Sequence, residues 1–138
     1  LMQGTIAVNF VDGTQKMYGV HRNNGVPWRP SVKDPEQQGR YWYFREVPGP
    51  LGLGAIPIEP NVSVAGDVYN FCAGALVAIR DDAGTVRLAV LSDTGGAFQP
   101  NLFQLDWYSG SFPNREAFEA GTAHIPDRAH AGFLVLRD

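Results

Sequence analysis

The sequence has 138 residues, with 11 Lys and Arg against 14 Asp and Glu, a formal net charge of −3. A chain of this length can bury one proper core, so a single domain over residues 1–138 is expected, with 1–50 and 51–138 as its N-terminal and main portions. No apolar run approaches the roughly 20 residues of a membrane helix, and the basic residues stand singly rather than in a phosphate-neutralising cluster, which sets aside a membrane span and nucleic acid as a partner.

The opening Leu1-Met2-Gln3-Gly4 lacks the charged region and apolar stretch of a secretory leader. Thr5 to Phe10 alternates Ile6, Val8 and Phe10 with smaller or polar residues, the pattern of a half-buried strand. Asp12-Gly13 marks a tight turn, and Lys16 to Val20 returns as the hairpin partner. Residues 21–40 read as an irregular polar excursion with Trp28 between Pro27 and Pro30. Tyr41 to Val47 is rich in aromatics and predicts a strand ended by Pro48-Gly49-Pro50.

The lone Cys72 excludes an intrachain disulfide and, just ahead of an apolar run, reads as a buried small hydrophobe. Ala75–Arg80 and Val86–Leu91 flank Asp81-Asp82-Ala83-Gly84 and form the clearest hairpin. Their near-continuous apolar character predicts burial on both faces. Leu102 to Tyr108 and Gly132 to Arg137 read as further strands. One short helix is expected, capped by Asn114, propagated by Glu116 to Ala120 and stopped by Gly121. Many short strands, one small helix and abundant turns define an all-β barrel or sandwich.

Three acidic positions stand out. Asp93 ends an apolar strand and precedes Thr94-Gly95-Gly96-Ala97, where two glycines let the backbone turn sharply. Such an aspartate either aims into a cleft or bonds the turn's own amides. Thirteen positions later, Asp106 interrupts an apolar strand. Strand alternation puts Phe103, Leu105 and Trp107 on one face and Gln104, Asp106 and Tyr108 on the other. A carboxylate partly desolvated by neighbouring aromatics holds its proton more tightly, the property needed to protonate a glycosidic oxygen. Glu59 closes a small apolar segment before Pro60, where a surface turn is the plain alternative.

Taken together, Ala55-Ile56-Pro57-Ile58-Glu59-Pro60, Ser92-Asp93-Thr94-Gly95-Gly96-Ala97 and Gln104-Leu105-Asp106-Trp107-Tyr108 resemble the three-aspartate (3D) domain. This domain is a small double-psi β-barrel found in membrane-bound lytic transglycosylase A and in related spore and resuscitation proteins. The resemblance covers about residues 54–137. It implies a double-psi β-barrel with one short helix and loop insertions, and a lytic transglycosylase of the cell envelope or exterior that cleaves the MurNAc–GlcNAc β-1,4 bond of peptidoglycan with a 1,6-anhydro product. By position it makes Asp106 the acid/base and Asp93 its partner, and puts Glu59 where the family's first aspartate stands. The chain departs from the family in that glutamate, in Phe98-Gln99 where the family carries Ile-Lys, and in a longer spacing between the second and third acids.

Candidate substrate contacts are Thr94, Gly95 and Gly96 in the turn, Gln104 and Tyr108 beside Asp106, and the aromatic faces of Tyr41 and Tyr43. His21, His124 and His130 have no zinc spacing and read as solvated loop residues, so neither metal nor cofactor is expected. The resemblance implies peptidoglycan or another polysaccharide as the partner, and a monomer is expected. Two alternatives stay open: a glycoside hydrolase on a related barrel, with Asp93 or Glu59 activating water, and a non-catalytic expansin-like module that binds polysaccharide.

Overall fold

Asp12 and Gly13 reverse the chain between its first two strands in the computed structural model, which describes residues 5–135. Gly13 takes φ +83, a region that a Cβ disfavours, and Asp12 Oδ1 accepts hydrogen bonds from Thr14 N at 2.9 Å and Thr14 Oγ1 at 2.7 Å. β1 (Thr5–Asn9) therefore pairs antiparallel with β2 (Gln15–Asn23), and β3 (Trp42–Val47) pairs antiparallel with the far edge of β2. Ile6 and Phe10 stay largely in solvent (44% and 41% exposed), so β1 is shielded less than its alternation predicts. The chain divides into two compact units, Leu1–Leu51 and Gly52–Asp138, and this three-stranded meander is the body of the first.

The second unit is a five-stranded sheet in the order β7-β4-β6-β5-β8. Its strands are β4 (Ser63–Ala65), β5 (Leu76–Arg80), β6 (Val86–Asp93), β7 (Asp106–Trp107) and β8 (His130–Phe133). β4 runs parallel to β6, and every other pairing is antiparallel. Val64, Val77, Ala89 and Leu91 are almost fully buried and form the core, with Val68, Phe71, Ile79, Leu105, Trp107 and Phe133 packed against them. The Phe71 and Phe133 rings stack with centroids 3.7 Å apart. The expected hairpin is thus present, but burial alternates along it instead of covering both faces. Val77, Ala89 and Leu91 point inward, while Leu76, Val86 and Leu88 are 49–63% exposed on the other side.

Several sequence expectations are corrected here. Only Asp106–Trp107 of the expected strand over Leu102–Tyr108 is extended and paired. Asn101 Oδ1 accepts a hydrogen bond from Phe103 N and turns the chain there, which leaves Phe103 98% exposed while Leu105 and Trp107 pack inward. Cys72 is exposed rather than buried; it takes φ +64 as the residue that ends α1 (Val68–Phe71), a single turn the sequence reading omitted. α2 (Arg115–Thr122) starts on Asn114 as expected, with Asn114 Oδ1 accepting from Ala117 N at 2.8 Å. It runs through Gly121, which lies so near the Phe112 ring that a Cβ would stand 2.5 Å away. His130 begins the last strand, which lies over His130–Phe133 rather than Gly132–Arg137. Leu1-Met2-Gln3-Gly4 and the end of that expected strand lie outside the described residues.

Leu91 is 0% exposed in the core of this sheet. Leu91→Ala is expected to cost about 2–5 kcal/mol, read as a lower denaturation midpoint of the whole chain. A loss below about 1 kcal/mol would mean that this core is not what holds the sheet.

Candidate active site

Ala65, the last residue of β4, pairs with Asp93 of β6 on one side and with Asp106 of β7 on the other. Neighbouring strands lie about 4.8 Å apart, so the two aspartates stand in one row with Cα atoms about 10 Å apart. The preceding row is Leu91, Val64 and Trp107, all turned toward the core. Alternation therefore puts Ala65 and its two aspartate partners on the opposite side. Ser92 is the extra residue between Leu91 and Asp93: the register shift there brings Asp93, rather than Ser92, opposite Ala65.

The two carboxylates have different surroundings. Asp93 is half-buried, since Gly52 passes so close to the end of β6 that a Cβ on it would stand 2.4 Å from Ser92 O and 3.2 Å from Asp93 Cβ. Burial pushes the Asp93 carboxyl above its ordinary range, against the pull of the nearby backbone N–H groups of Thr94 and Leu53. Asp93 Oδ1 and Thr94 Oγ1 are both buried with no hydrogen-bond partner among the described residues. Asp106 is exposed, so the desolvation expected at Asp106 is found at Asp93; Leu105 and Trp107, the neighbours meant to supply it, turn to the core side.

Asp106 is held instead by a hydrogen-bond chain. Gln104 Nε2 donates to Asp106 Oδ1 at 3.0 Å, and Gln104 Oε1 accepts from Asn101 Nδ2 at 3.1 Å. Asn101 N in turn donates to Asp67 Oδ2 at 3.2 Å. Asp67 is 1% exposed and also accepts from Tyr69 N, Asn70 N and Asn70 Nδ2, which caps α1. The Asn70 side-chain bond, aided by the backbone donors, holds the Asp67 carboxyl below its usual range despite burial. The sequence reading missed both Asp67 and Asn101. Asp67 had a readable signal, an acid directly before a short helical run; Asn101, following Pro100, had none.

Glu59 is exposed at the N-terminal end of β4, in a turn where its carbonyl accepts from Val62 N and Ser63 N. The turn is tied to the end of β7 through Trp107 Nε1 donating to Asn61 Oδ1 at 3.2 Å and Asn61 N donating to Tyr108 O at 2.8 Å. The aspartate row lies at the other end of β4, so the structure brings Asp93 and Asp106 together and leaves Glu59 outside their row. Gly95 is extended at φ −166, and neither Gly95 nor Gly96 has positive φ, so the sharp turn is not a glycine conformation. A short 3-10 turn over Gly96–Phe98 makes it, with Phe98 buried beneath. A Cβ on Gly96 would meet nothing within 4 Å, which leaves that backbone open to an approaching ligand. Tyr41 and Tyr43 belong to the first unit, 63% and 49% exposed, with the Arg22 guanidinium 5.2 Å from the Tyr43 ring centroid.

A cavity of about 730 Å³ opens on the core side of the second unit, floored by Val64, Phe71, Trp107 and Phe133 and edged by Arg87 and Gln104. None of Glu59, Asp93 and Asp106 lines it, but Asp67, Asn101 and Gln104, the hydrogen-bond chain that holds Asp106, all do. Among the described residues, no group of three or more His, Cys, Asp or Glu is placed to hold a metal ion, and no helix is long and apolar enough to cross a membrane.

The fold is a small all-β double-psi barrel of the lytic-transglycosylase A (MltA) type. Its similarity to the membrane-bound lytic murein transglycosylase from Agrobacterium tumefaciens has TM-score 0.62 at 23% identity, over 96% of this chain and 46% of that one. MltA from Neisseria gonorrhoeae is similar at TM-score 0.59 and 20% identity, over 94% and 42%. Escherichia coli MltA solved with bound chitohexaose is similar at 0.57 and 19%, over 79% and 45%. The chain thus spans less than half the length of each. Its sequence matches no protein-family model and no curated protein.

Because the folded chain holds the Asp93 proton more tightly than an unfolded aspartate does, this group favours folding below the ordinary value of 3.8 and opposes it as pH rises through its own raised value. Asp93→Asn removes the buried charge. The variant is expected to melt above the parent at neutral pH, with the gap closing as pH falls through the carboxylate range. Parallel melting curves at every pH would show that burial does not strain this carboxylate.

Proposed function

We propose that this chain forms the catalytic barrel portion of a peptidoglycan lytic transglycosylase, with Asp106 as its acid/base. The observation that carries the reading is the row Asp93–Ala65–Asp106 on a fold shared with solved lytic transglycosylases. That the E. coli neighbour was solved with chitohexaose supports a β-linked amino-sugar chain as the ligand class. The cell envelope is the matching location, in line with the membrane-bound neighbour from A. tumefaciens.

In this reading Asp106 protonates the glycosidic oxygen of the leaving sugar as positive charge builds at the anomeric carbon. The same carboxylate then takes the proton of the 6-hydroxyl on the sugar that keeps the anomeric carbon, and that oxygen bonds the anomeric carbon to close the 1,6-anhydro ring. One group serves twice, and no water is added. Gln104 occupies Asp106 Oδ1 and leaves Oδ2 for the travelling proton. Asp106 is exposed in the free chain, so the glycan itself, lying across the row, excludes the water that would weaken it as an acid. Asp93 and Thr94, with unpartnered oxygens, receive sugar hydroxyls, while Gly95, Gly96 and Tyr108 line the same side. Glu59 contacts the glycan at the other end of β4.

The exposure of Asp106 also favours a second reading, a module that binds polysaccharide without cutting it. Incubation with purified peptidoglycan and mass analysis of the soluble fragments separates the two. Anhydro-ended fragments are expected; reducing ends would make the chain a hydrolase, and no fragments a binding module. Asp106→Asn is expected to lower the rate about 10²–10⁴-fold, the usual worth of a general acid, with little change in melting temperature. Full activity in that variant removes Asp106 from the mechanism.

Asn101→Ala frees the Gln104 amide without touching the carboxylate. A kcat about tenfold lower with KM nearly unchanged is expected from losing orientation alone. An equal loss in KM would instead make Asn101 a glycan contact.

A further inference from the structure

The loop between β2 and β3, in the first unit, is held in an unusual way. Gln38 is 1% exposed in a segment with few buried apolar neighbours, and its amide is fully used. Its Oε1 accepts from Arg29 N at 3.0 Å, and its Nε2 donates to Arg29 O at 2.9 Å and Val32 O at 2.7 Å. Asn24 fastens the loop's base, donating from Nδ2 to Gly39 O at 2.9 Å and accepting from Tyr41 N at 3.2 Å. Arg40 Nε donates to Val26 O at 3.1 Å. Ordering a loop costs about 1–2 kcal/mol per residue in backbone entropy, and here polar side chains rather than a buried core offset it.

What this scaffold presents is Trp28, 54% exposed between two prolines. The Arg40 guanidinium lies 5.8 Å from the Trp28 ring centroid and 4.8 Å from that of Trp42, within cation–π range of both. Arg40 makes no hydrogen bond through its Nη groups among the described residues, so a planar fork of donors remains beside an exposed indole. A pyranose has the complementary chemistry: an apolar C–H face and a rim of hydroxyl or acetamide oxygens.

We propose that Trp28 and Arg40 form a sugar-binding subsite for a β-linked amino-sugar chain, the ring stacking on the Trp28 indole and Arg40 donating to its oxygens. The inference rests on the reading that this chain binds glycan, but not on cleavage. Trp28 lies in a loop fixed before any ligand arrives, so ordering the platform costs little at the moment of binding.

The test is a calorimetric titration of the full chain with chitohexaose, in the parent and in an Asp106→Asn background so that nothing is consumed. Trp28→Ala is expected to weaken binding about tenfold, Trp28→Tyr to keep most of it, and Arg40→Lys to fall between. Unchanged far-ultraviolet dichroism in each variant separates lost contact from lost fold. Parent-like affinity in Trp28→Ala overturns the proposal, as does absence of binding by the parent. Self-association of the parent that Trp28→Ala abolishes with sugar affinity untouched also overturns it, marking the surface as a contact between copies. Trp28-dependent binding without any bond cleavage upholds this inference while removing the transglycosylase reading; cleavage with Trp28-independent binding does the reverse.

Discussion

The burial of Val64 against Leu91 and Trp107 sets the position of every group in the aspartate row. Those three residues form one rung across β6, β4 and β7, and two of them are 0–1% exposed. A strand slipped by one residue would send its whole apolar set into water, so the register of this rung is strongly specified. The next rung follows from it: with Val64 inward, Ala65 must face outward, and its partners with it. The bulge at Ser92 then decides which side chain of β6 joins that rung. Without it Ser92 would stand opposite Ala65. Core packing, a bulge and two short pairings thus bring together residues thirteen apart in sequence.

The same row divides its two carboxylates by environment. Gly52 brings backbone against the end of β6 and takes water from Asp93. Nothing covers Asp106 in this way, and its orientation comes from hydrogen bonds alone. That chain ends in Asp67, whose four accepted bonds make it a fixed point. Asp67 thereby joins two jobs, capping α1 and anchoring Asn101. One carboxylate is set by burial, the other by a relay of amides.

The strand-and-turn skeleton was legible where a local pattern and the tertiary context agreed. Asp12-Gly13 and the Asp81–Gly84 turn carry their own chemistry, so both hairpins could be read directly. The acids could be found because Asp93 and Asp106 interrupt apolar runs, and the motif resemblance supplied their pairing. What could not be read was burial. Leu105 and Trp107 flank Asp106 in sequence, which suggested an apolar surrounding, but alternation turns them to the other face. The crowding at Asp93 comes from Gly52, forty-one positions away, and no local pattern announces a contact of that range. Asn101 was invisible for the same reason. Its partners Asp67 and Gln104 meet only once β4 and β7 are paired.

An exposed acid with a fixed side chain has a particular consequence for the proposed chemistry. A general acid must be aimed before it is needed, because searching rotamers at the moment of reaction raises the barrier. It must also be dry when it acts. In this chain the two requirements fall to different agents. Gln104 and Asn101 supply the aim in the free protein, through bonds already made. In the proposed reaction dryness is left to the ligand, whose own apolar faces would replace solvent over Asp106. Short sugars that leave the row wet should therefore react far more slowly than their affinity alone implies, since part of the binding energy of a long chain is used to displace water from the acid.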